Sequence, residues 1–501
     1  MSLCEQVMLS GYGRRTNCDL NARRRGSRMA AFRRMGRPAY SWETTLNPIT
    51  ISTHDMGAPQ DALPAPTARE GRGAGRKAII AAAAGNALEW YDFTVYALFA
   101  VYIGQNFFQD DNPSVQLMVS FLAFGLGFVA RPLGALIIGS FGDRAGRKAA
   151  LSLTIMLMAA GTLLIAIAPP YAAIGVGGPL LIVFGRVLQG FSAGGEVGGA
   201  TAFLVEHAPP GRRGEYASWL QASMGVSNLL AAGVATLVAF ALSEAQIGSW
   251  GWRIPFILGL AIAPVGLWMR RSLDETPAFQ EEQRRQAREG APAKAPMLEV
   301  VRRHPRELAL GLGLCVLWAV GPYALIIYMP IYVQKSMGFS SSQAFTAALV
   351  GNLFLVAGCL GSGRLSDRLG RRKVLAGGAV LILCSVYPLL AWLQATHSTA
   401  ALVVVQSVLC LLVAVYVGTA PSALSEIFPT AVRSSGMSLS YNAAVTVLGG
   451  FAPAILTWMS YNMQISFAPA LYAMAACAVA LVTLTFGWRA GTGRPDACGG
   501  A

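Results

Sequence analysis

A short polar stretch that occurs twice in the chain indicates the fold. It is Gly139-Ser-Phe-Gly-Asp143-Arg144-Ala-Gly146-Arg147-Lys148, and it recurs 224 residues later as Gly363-Arg-Leu-Ser-Asp367-Arg368-Leu-Gly370-Arg371-Arg372. Both stretches have the spacing Gly-x3-Asp-Arg-x-Gly-Arg. A second pair of stretches, Glu206-His-Ala-Pro209-Pro-Gly-Arg-Arg213 and Glu426-Ile-Phe-Pro429-Thr-Ala-Val-Arg433, is offset by 220 residues. Two motifs that recur at nearly one offset indicate a duplicated unit, and paired helix bundles with a site at their interface are a transporter architecture.

Twelve apolar stretches surround these motifs, and each has about the 20 residues that cross ~30 Å of hydrocarbon. Spans one to six are about 79–103, 115–140, 149–168, 179–205, 216–242 and 252–269; spans seven to twelve are about 308–333, 342–363, 374–394, 399–425, 435–459 and 466–488. The sequence therefore predicts an all-α integral membrane protein with twelve transmembrane helices in two six-helix bundles.

Five segments follow from this division of the chain. The bundles occupy residues 78–269 and 307–488, and a cytoplasmic central loop, 270–306, joins them. Residues 489–501 form a short cytoplasmic tail. Residues 1–77 are either a disordered basic cytoplasmic tail or an extension upstream of a true start near Met56.

The charged residues predict the orientation. Charged residues are 13% of the chain, about half of the ~25% usual in soluble proteins. The tails and the even-numbered connections carry 35 of the 39 Lys and Arg residues. By the positive-inside rule, both termini face the cytoplasm of a bacterial inner membrane.

Several other classes of protein are excluded by composition. The aromatic residues lie inside apolar runs rather than on a basic face, so nucleic-acid binding is not expected. The eight cysteines form no CxxC pair and the four histidines are scattered, so neither a disulfide scaffold nor a metal site is expected. No cofactor motif accompanies the spans. We expect a monomer with no cofactor and no enzymatic activity.

Several stretches of the chain resemble the motifs of a known family. The Gly-x3-Asp-Arg-x-Gly-Arg stretch is similar to the signature of the major facilitator superfamily, and Arg186-Val-Leu-Gln189-Gly190 is similar to its second motif. Within that superfamily, four further stretches together resemble the metabolite:proton symporter family, which includes citrate, α-ketoglutarate, shikimate and proline/betaine carriers. They are Gly85-Asn86-Ala-Leu-Glu89-Trp90-Tyr91-Asp92-Phe93, Arg131-Pro132-Leu-Gly134, Gly190-Phe-Ser-Ala-Gly-Gly195-Glu196 and Trp250-Gly-Trp252-Arg253-Ile-Pro255-Phe256. The resemblance covers about residues 79–488 and implies the major facilitator fold.

Five charged residues lie well inside the spans, all in the first half: Glu89, Asp92, Arg131, Arg186 and Glu196, while Arg253 lies at the mouth of span six. An ionised side chain at the bilayer centre costs roughly 2.5–3.5 kcal/mol even on lenient scales, so these groups must face one another or water. They are the candidate functional site.

The roles of these five residues have alternatives. Glu89 and Asp92, three residues apart on one helix face, either couple transport to protons, with Asp92 as the titrating member, or form permanent bridges to the two arginines. Arg131 either binds an anionic substrate or pairs with one of these carboxylates. By the resemblance, Arg186 assists proton movement rather than substrate binding. Glu196 is expected to pair with a loop arginine.

Further candidates come from the second half and from the repeated loops. Tyr323, Tyr328, Asn352, Tyr441 and Asn442 are expected to line the cavity. By the resemblance, Asp143 docks at the N-terminal end of span eleven, near 434–436, and closes the cytoplasmic side. The cytoplasmic gate then comprises Gly139, Asp143, Arg144, Gly146, Arg147, Glu196, Asp367, Arg368 and Arg371. Gly190, Gly194 and Gly198 form a ladder that predicts close helix packing.

The combined interpretation is a secondary transporter that takes up a small organic anion with protons, by alternating access. Citrate or another di- or tricarboxylate is favoured, because span seven resembles the citrate carriers. The alternative is a proline/betaine-type symporter, although the coiled-coil extension of the osmosensing members does not follow span twelve. A remote alternative is a transporter-like sensor. The partners expected are the substrate, protons and the lipid bilayer.

Overall fold

The structure is a computed structural model that describes residues 86–87, 89–145, 147–194, 196–271, 296–429 and 432–488. Side chains are described there except at 139–140, 142–145, 147–148, 151, 196, 262–263, 265–271 and 296–299. The predicted tails, 1–77 and 489–501, and most of the central loop lie outside the described residues. All described residues belong to one unit, Pro66–Ala501.

The described part of the first half is built of helices that match the six predicted spans. Span one comprises residues 89–98 and Ala100–Phe107. Spans two to six comprise Pro113–Val129 with Arg131–Ala145, Arg147–Ile167, Gly177–Ala193 with Glu196–Glu206, Arg213–Ala241, and Ile254–Arg271. Short helices Tyr171–Ile174, Glu244–Ser249 and Gly251–Arg253 lie in the connections.

The second half follows the same plan after the helix Pro296–Arg303. Spans seven to nine comprise Pro305–Pro322 with Tyr323–Ile327 and Met329–Met337, Ser341–Leu369, and Arg371–Thr396. Spans ten to twelve comprise Thr399–Val417 with Ala420–Ile427, Arg433–Ala444 with Val445–Gly450 and Ala452–Tyr461, and Ala468–Val482 with Thr483–Gly487. Across the described residues, nine helices have the length and apolar composition needed to cross a membrane.

Several helices begin at residues that satisfy free backbone N–H groups. Asn112, the residue just before the helix that begins at Pro113, accepts a hydrogen bond from the Ser114 N–H. Ser340 and Gln343 form a capping box at the start of span eight. Such caps fix where each helix starts.

The second copy of the Gly-x3-Asp-Arg-x-Gly-Arg motif, residues 363–372, is mostly helical, which corrects its description as a loop. Span eight continues as helix to Leu369, so Asp367 lies on the last turn of the helix rather than in a connection. The turn is made at Gly370, whose φ of 90° and ψ of 144° are strained for any residue with a Cβ. The motif therefore places an acidic side chain and an arginine on either side of one sharp corner.

Spans seven, eleven and twelve each contain a π-helical turn, at Tyr323–Ile327, Val445–Gly450 and Thr483–Gly487. Single π turns inside α-helices are frequent at functional positions, because they re-aim side chains and free backbone groups. Those of spans seven and eleven lie beside the candidate site described below.

The two halves pack through small residues. Gly214 and Gly363 bring spans five and eight together, and a Cβ on either would lie 2.6–2.7 Å from the other's carbonyl oxygen. Gly125 of span two fits against the Phe451 ring of span eleven. Large apolar side chains face outward elsewhere, including Leu237 and Phe240, each 70% exposed. An outward apolar surface around a polar interior is the arrangement expected in a bilayer.

Candidate functional site

The two candidate carboxylates of span one are buried but point to different neighbours. Glu89 is 4% exposed and contacts span two, whereas Asp92 is 6% exposed and contacts spans three and four. Although they are three residues apart on one helix, each therefore has its own surroundings.

Glu89 forms an ion pair with Arg131. Arg131 Nη2 donates to Glu89 Oε1 at 2.7 Å, and the arginine is fully buried. Its guanidinium lies over the rings of Phe93 and Phe128, with its Cζ 5.0 and 4.6 Å from the two centroids. Arg131 Nε and Nη1 have no hydrogen-bond partner among the described residues. The pair thus leaves two oriented donors for a further acceptor.

Asp92 is connected to Arg186 through a side chain that the sequence interpretation did not single out. Arg186 Nη1 donates to Gln189 Oε1 at 2.7 Å, and Gln189 Nε2 donates to Thr162 Oγ1 at 2.9 Å and to Asp92 Oδ2 at 3.5 Å. The Thr162 hydroxyl itself donates to Asp92 Oδ2. Among the described residues, Asp92 makes no direct ion pair with an arginine, so the expected pairing is found for Glu89 and not for Asp92.

Arg186 is held in an aromatic cage. Its Cζ lies 4.5–4.7 Å from the ring centroids of Phe93, Tyr96 and Phe124. Stacked rings attract a guanidinium and shield it from lipid. Arg186 Nε and Nη2 lack hydrogen-bond partners among the residues described.

The glycine ladder of span four brings that span close to span two, which carries Arg131. A Cβ on Gly190 would collide with the Gly127 carbonyl oxygen of span two, and a Cβ on Gly194 would collide with the Arg131 carbonyl oxygen. The close helix packing predicted for the ladder is therefore present. It fixes the close approach of spans two and four, which carry Arg131 and Arg186.

Tyr323, the first residue of the π turn in span seven, comes closest to this cluster from the second half. Its ring packs against Trp90 at 5.8 Å, Phe124 at 6.3 Å and Phe128 at 5.5 Å between centroids. Its buried hydroxyl has no hydrogen-bond partner in the described part of the chain. Tyr323 and Tyr441 are both within electrostatic range of Arg131 and Glu89.

The remaining cavity candidates have other partners. Tyr328 packs against Phe121, and its hydroxyl accepts a hydrogen bond from Thr457. Asn352 donates to the Ala348 carbonyl of its own helix. Asn442 donates across the two halves to the Gly194 carbonyl at 2.7 Å. The contacts found for these three residues are thus with groups other than Arg131 or Asp92.

At the end of the bundle that carries the repeated motifs, here called the basic end, Asp367 joins the two halves. Its carboxylate accepts hydrogen bonds of 2.9 Å from the backbone N–H groups of Gly214 and Glu215, at the start of the span five helix. A carboxylate at a helix N-terminus is stabilised by both the N–H groups and the helix dipole. This contact is the repeat-related counterpart of the docking expected for Asp143, whose side chain lies outside the described residues.

Arg371 and its neighbours extend the contact. Arg371 donates to Asp367 at 2.7 Å and to Glu426 at 3.2 Å, and Arg364 donates to Glu215 at 3.1 Å. Hydrogen bonds to Glu215 raise the pKa of the exposed Arg212 just before the span five helix. Arg368 is exposed. Gly139 lies on the helix Arg131–Ala145, whereas Gly146 and the side chains of Arg144, Arg147 and Glu196 lie outside what the structure describes.

The opposite end is also closed by contacts between the halves. The Tyr102 hydroxyl donates to Glu244 at 2.6 Å and lies 3.1 Å from the Ser341 hydroxyl of span eight. Phe99 packs against Phe345 at 5.8 Å. Contacts between the halves therefore lie at both ends of the buried cluster.

Sequence reasoning missed Gln189, Thr162 and the aromatic cage. Gln189 stands in the quoted Arg186-Val-Leu-Gln189-Gly190 motif, three residues from Arg186, so its side chain could have been placed beside the arginine by helical spacing alone. Thr162 lies in an apolar run and carries no such signal. The rings that surround Arg186 come from two helices, which only the packing reveals.

Comparison with known proteins gives the family. The sequence profile of the Major Facilitator Superfamily matches residues 82–453. The chain is 34% identical to a citrate-proton symporter of Salmonella typhi over 82% of this chain and 93% of the relative. It is 35% identical to a proline/betaine transporter of Escherichia coli strain K12 over 81% of this chain and 82% of the relative.

The solved structures of lower identity agree on the fold. The partially occluded inward-open structure of the E. coli xylose transporter XylE matches with a TM-score of 0.65 at 18% identity, over 82% of this chain and 97% of that protein. The predicted twelve-helix fold is thereby confirmed, as is the prediction of a transporter rather than an enzyme. The chain is a multi-pass protein of the bacterial inner membrane. It belongs to the major facilitator superfamily and, within it, to the metabolite:proton symporters.

Proposed function

We propose that this chain takes up a small carboxylate-bearing solute together with protons, by alternating access around the cluster of Glu89, Asp92, Arg131 and Arg186. The observation that carries the proposal is Arg131. It is fully buried and donates to Glu89 through Nη2, and its other two nitrogens, Nε and Nη1, have no partner among the described residues. A planar guanidinium with free donors at the centre of the protein is suited to binding a carboxylate.

Asp92 is the proposed proton carrier. It is buried, and Thr162 and Gln189 separate it from Arg186. A carboxylate held by hydrogen bonds to neutral groups can change its charge without breaking an ion pair, which a permanent Glu89-type bridge cannot do. Arg186 is placed to bias that change through Gln189.

The charges of the cluster support the coupling of substrate to protons. The two carboxylates and the two guanidinium groups are formally neutral together. Protonation of Asp92 leaves a net charge of +1 in a water-poor environment, which favours entry of an anion. A di- or tricarboxylate such as citrate, the substrate class that we favour, fits a site that gains positive charge with each proton.

A zwitterion such as betaine is the alternative substrate, and one observation favours it. Trp90 and Tyr323 form an aromatic pair between the halves, with centroids 5.8 Å apart, within electrostatic range of the Glu89–Arg131 pair. Ring faces attract quaternary ammonium groups. A betaine would place its carboxylate on Arg131 and its ammonium group against these rings.

Uptake by purified protein in liposomes tests the function. Radiolabelled citrate and radiolabelled glycine betaine are supplied with an inward proton gradient, with no gradient and with the gradient collapsed by an ionophore. We expect accumulation of one of the two only under the inward gradient. Uptake that is the same in all three conditions would contradict proton coupling, and binding without transport would favour the sensor alternative.

The orientation and the gate belong to the same proposal. The basic end faces the cytoplasm, with residues 1–77 and 489–501 as tails and 270–306 as the loop between bundles 78–269 and 307–488. The contact of Asp367 with the start of span five, together with its Asp143 counterpart at span eleven, closes that side. In this proposal one protomer is sufficient for transport, and no nucleic acid or cofactor takes part.

A further inference from the structure

The hydroxyl group of Thr162 lies at the junction of three polar groups. It donates to Asp92 Oδ2, it accepts from Gln189 Nε2 at 2.9 Å, and it lies 3.0 Å from the Met158 carbonyl oxygen one turn earlier in span three. Thr162 is 1% exposed. These groups are therefore its hydrogen-bonding environment within the described residues.

A threonine hydroxyl has one donor and two acceptor positions, and this arrangement can use them in two ways. When Asp92 is ionised, Thr162 donates to the carboxylate and accepts from Gln189. When Asp92 is protonated, the new carboxyl O–H donates to Thr162, which still accepts from Gln189 and turns its own O–H to the Met158 carbonyl oxygen. The change requires rotation of one hydroxyl hydrogen and no displacement of heavier atoms.

The other groups around Asp92 cannot replace the hydroxyl. The Arg186 guanidinium and the Gln189 Nε2 amide can only donate hydrogen bonds. The Glu89 carboxylate accepts a hydrogen bond from Arg131. Tyr91 donates to the Pro255 carbonyl at 3.0 Å. On the side of span six, Asp92 Oδ1 faces Gly259, where a Cβ would lie 2.8 Å away. Among the described residues, Thr162 is thus the group that can accept a hydrogen bond from a protonated Asp92.

We propose that Thr162 is a positioning residue for proton coupling: its hydroxyl reverses from donor to acceptor when Asp92 takes up a proton, so that neither state leaves a buried polar group unpaired. The inference rests on the proposed role of Asp92 as proton carrier. It adds a partner on span three to a site otherwise formed by spans one, two and four.

The test compares Thr162→Val, which has nearly the same shape without a hydroxyl, with Thr162→Ser, which keeps the hydroxyl. Thr94→Val is the matched control, because Thr94 is also buried and also bonds an i−4 carbonyl and a side-chain amide, those of Trp90 and Asn228. Asp92→Asn identifies the signal. The infrared C=O band of protonated carboxyl groups is recorded against pH in purified protein, and gradient-driven uptake of citrate and of glycine betaine is measured in liposomes.

We expect Asp92→Asn to remove one titrating band. In Thr162→Val that band should reach half its height about one pH unit higher, because the lost bond to the carboxylate is charge-assisted and stronger than the bond to the acid. Gradient-driven uptake should fall at least about ten-fold, as expected when a buried group is left unpaired in one state. Thr162→Ser and Thr94→Val should stay within about two-fold of the parent, since they keep the hydroxyl or lie outside the junction.

Three results would overturn parts of this picture, and they are distinguishable. A Thr162→Val protein with unchanged band and uptake, or a Thr162→Ser protein as impaired as Thr162→Val, overturns the role of the hydroxyl alone. If Asp92→Asn removes none of the titrating bands of the parent protein, Asp92 is not the proton carrier. The proton part of the proposed function is then overturned as well.

Discussion

Arg131 and Glu89 form a 2.7 Å ion pair at the centre of the protein, with 0% and 4% of their side chains exposed. The arginine begins the second helix of span two and the glutamate lies on span one, so the pair fastens two helices of the same half. Because Nη2 is the one guanidinium nitrogen with a partner among the described residues, the same guanidinium can be both a structural partner and a ligand.

Replacing Arg131 by Ala should affect stability and binding together. The buried Glu89 carboxylate loses its counter-charge, and breaking a buried pair from one side typically costs about 3–5 kcal/mol. We expect a lower unfolding temperature and loss of the stabilisation that citrate or glycine betaine gives the parent, measured by thermal unfolding with increasing ligand.

The control for this experiment is Arg131→Lys, which keeps the charge but not the planar fork. It should recover part of the unfolding temperature and little of the ligand effect. If carboxylates stabilise Arg131→Ala as much as the parent protein, Arg131 does not bind substrate.

Replacing Glu89 by Gln should change the preference between substrates. The site then carries one more positive charge, so citrate binding should improve relative to glycine betaine by about ten-fold, which corresponds to about 1.4 kcal/mol. Titration calorimetry on the two ligands gives the ratio. A ratio that moves toward the zwitterion would place the bound carboxylate away from this pair.

Replacing Asp92 by Asn should separate exchange from accumulation. The variant keeps the shape of the side chain but cannot carry a proton, so counterflow of labelled substrate should persist while gradient-driven uptake falls at least about ten-fold, within the range of effects of proton-transfer groups. Both are measured in the same liposomes. Accumulation at the parent level would transfer the proton role to another residue.

The spans, the duplication and the five intramembrane charges could be read from the sequence, because lipid imposes strong rules on length and charge. The pairing of those charges could not. Glu89 and Asp92 lie on one helix turn, and which of them meets an arginine depends on how span one packs against spans two and four. The spacing of spans two and four is set by contacts such as Gly190 with Gly127, between residues far apart in the chain.

The repeated motif, too, could be interpreted only in part from the sequence. Its spacing marked Asp367, Arg368 and Arg371 as equivalent candidates, but in the folded chain their surroundings differ. Asp367 and Arg371 turn inward at the corner of Gly370, whereas Arg368 faces outward. The rotation of the last helical turn of span eight decides this, and the motif alone does not reveal that the helix continues to Leu369.

The basic end gives a prediction with its own matched control. Arg371→Gln removes the bonds to Asp367 and Glu426, and Asp367→Asn weakens the charged contact with the start of span five. Both should open this end, so that a cysteine at Ser218, in a background without other cysteines, reacts several-fold faster with a polar maleimide.

Arg368→Gln removes the same charge from an exposed side chain and should leave the reaction rate and stability close to the parent values, as for most surface substitutions. Equal acceleration by Arg368→Gln and Arg371→Gln would mean that the net charge of this end, rather than the Asp367 contact, holds it closed.

The packing of span four against span two can be tested with two glycines of the same region. Gly190→Ala places a Cβ against the Gly127 carbonyl oxygen, and a backbone atom yields less easily than a side chain. The free energy of unfolding should therefore fall by about 1–3 kcal/mol or more, the loss typical of overpacking. Gly199→Ala adds the same methyl group where nothing lies within 4 Å. It should be neutral or stabilising by up to about 1 kcal/mol, because alanine favours helix. Unfolding temperature and the fraction of monodisperse protein distinguish the two. If Gly190→Ala unfolds at the same temperature as Gly199→Ala, spans two and four do not approach as described, and the spacing between the helices that carry Arg131 and Arg186 would have to be set by other contacts.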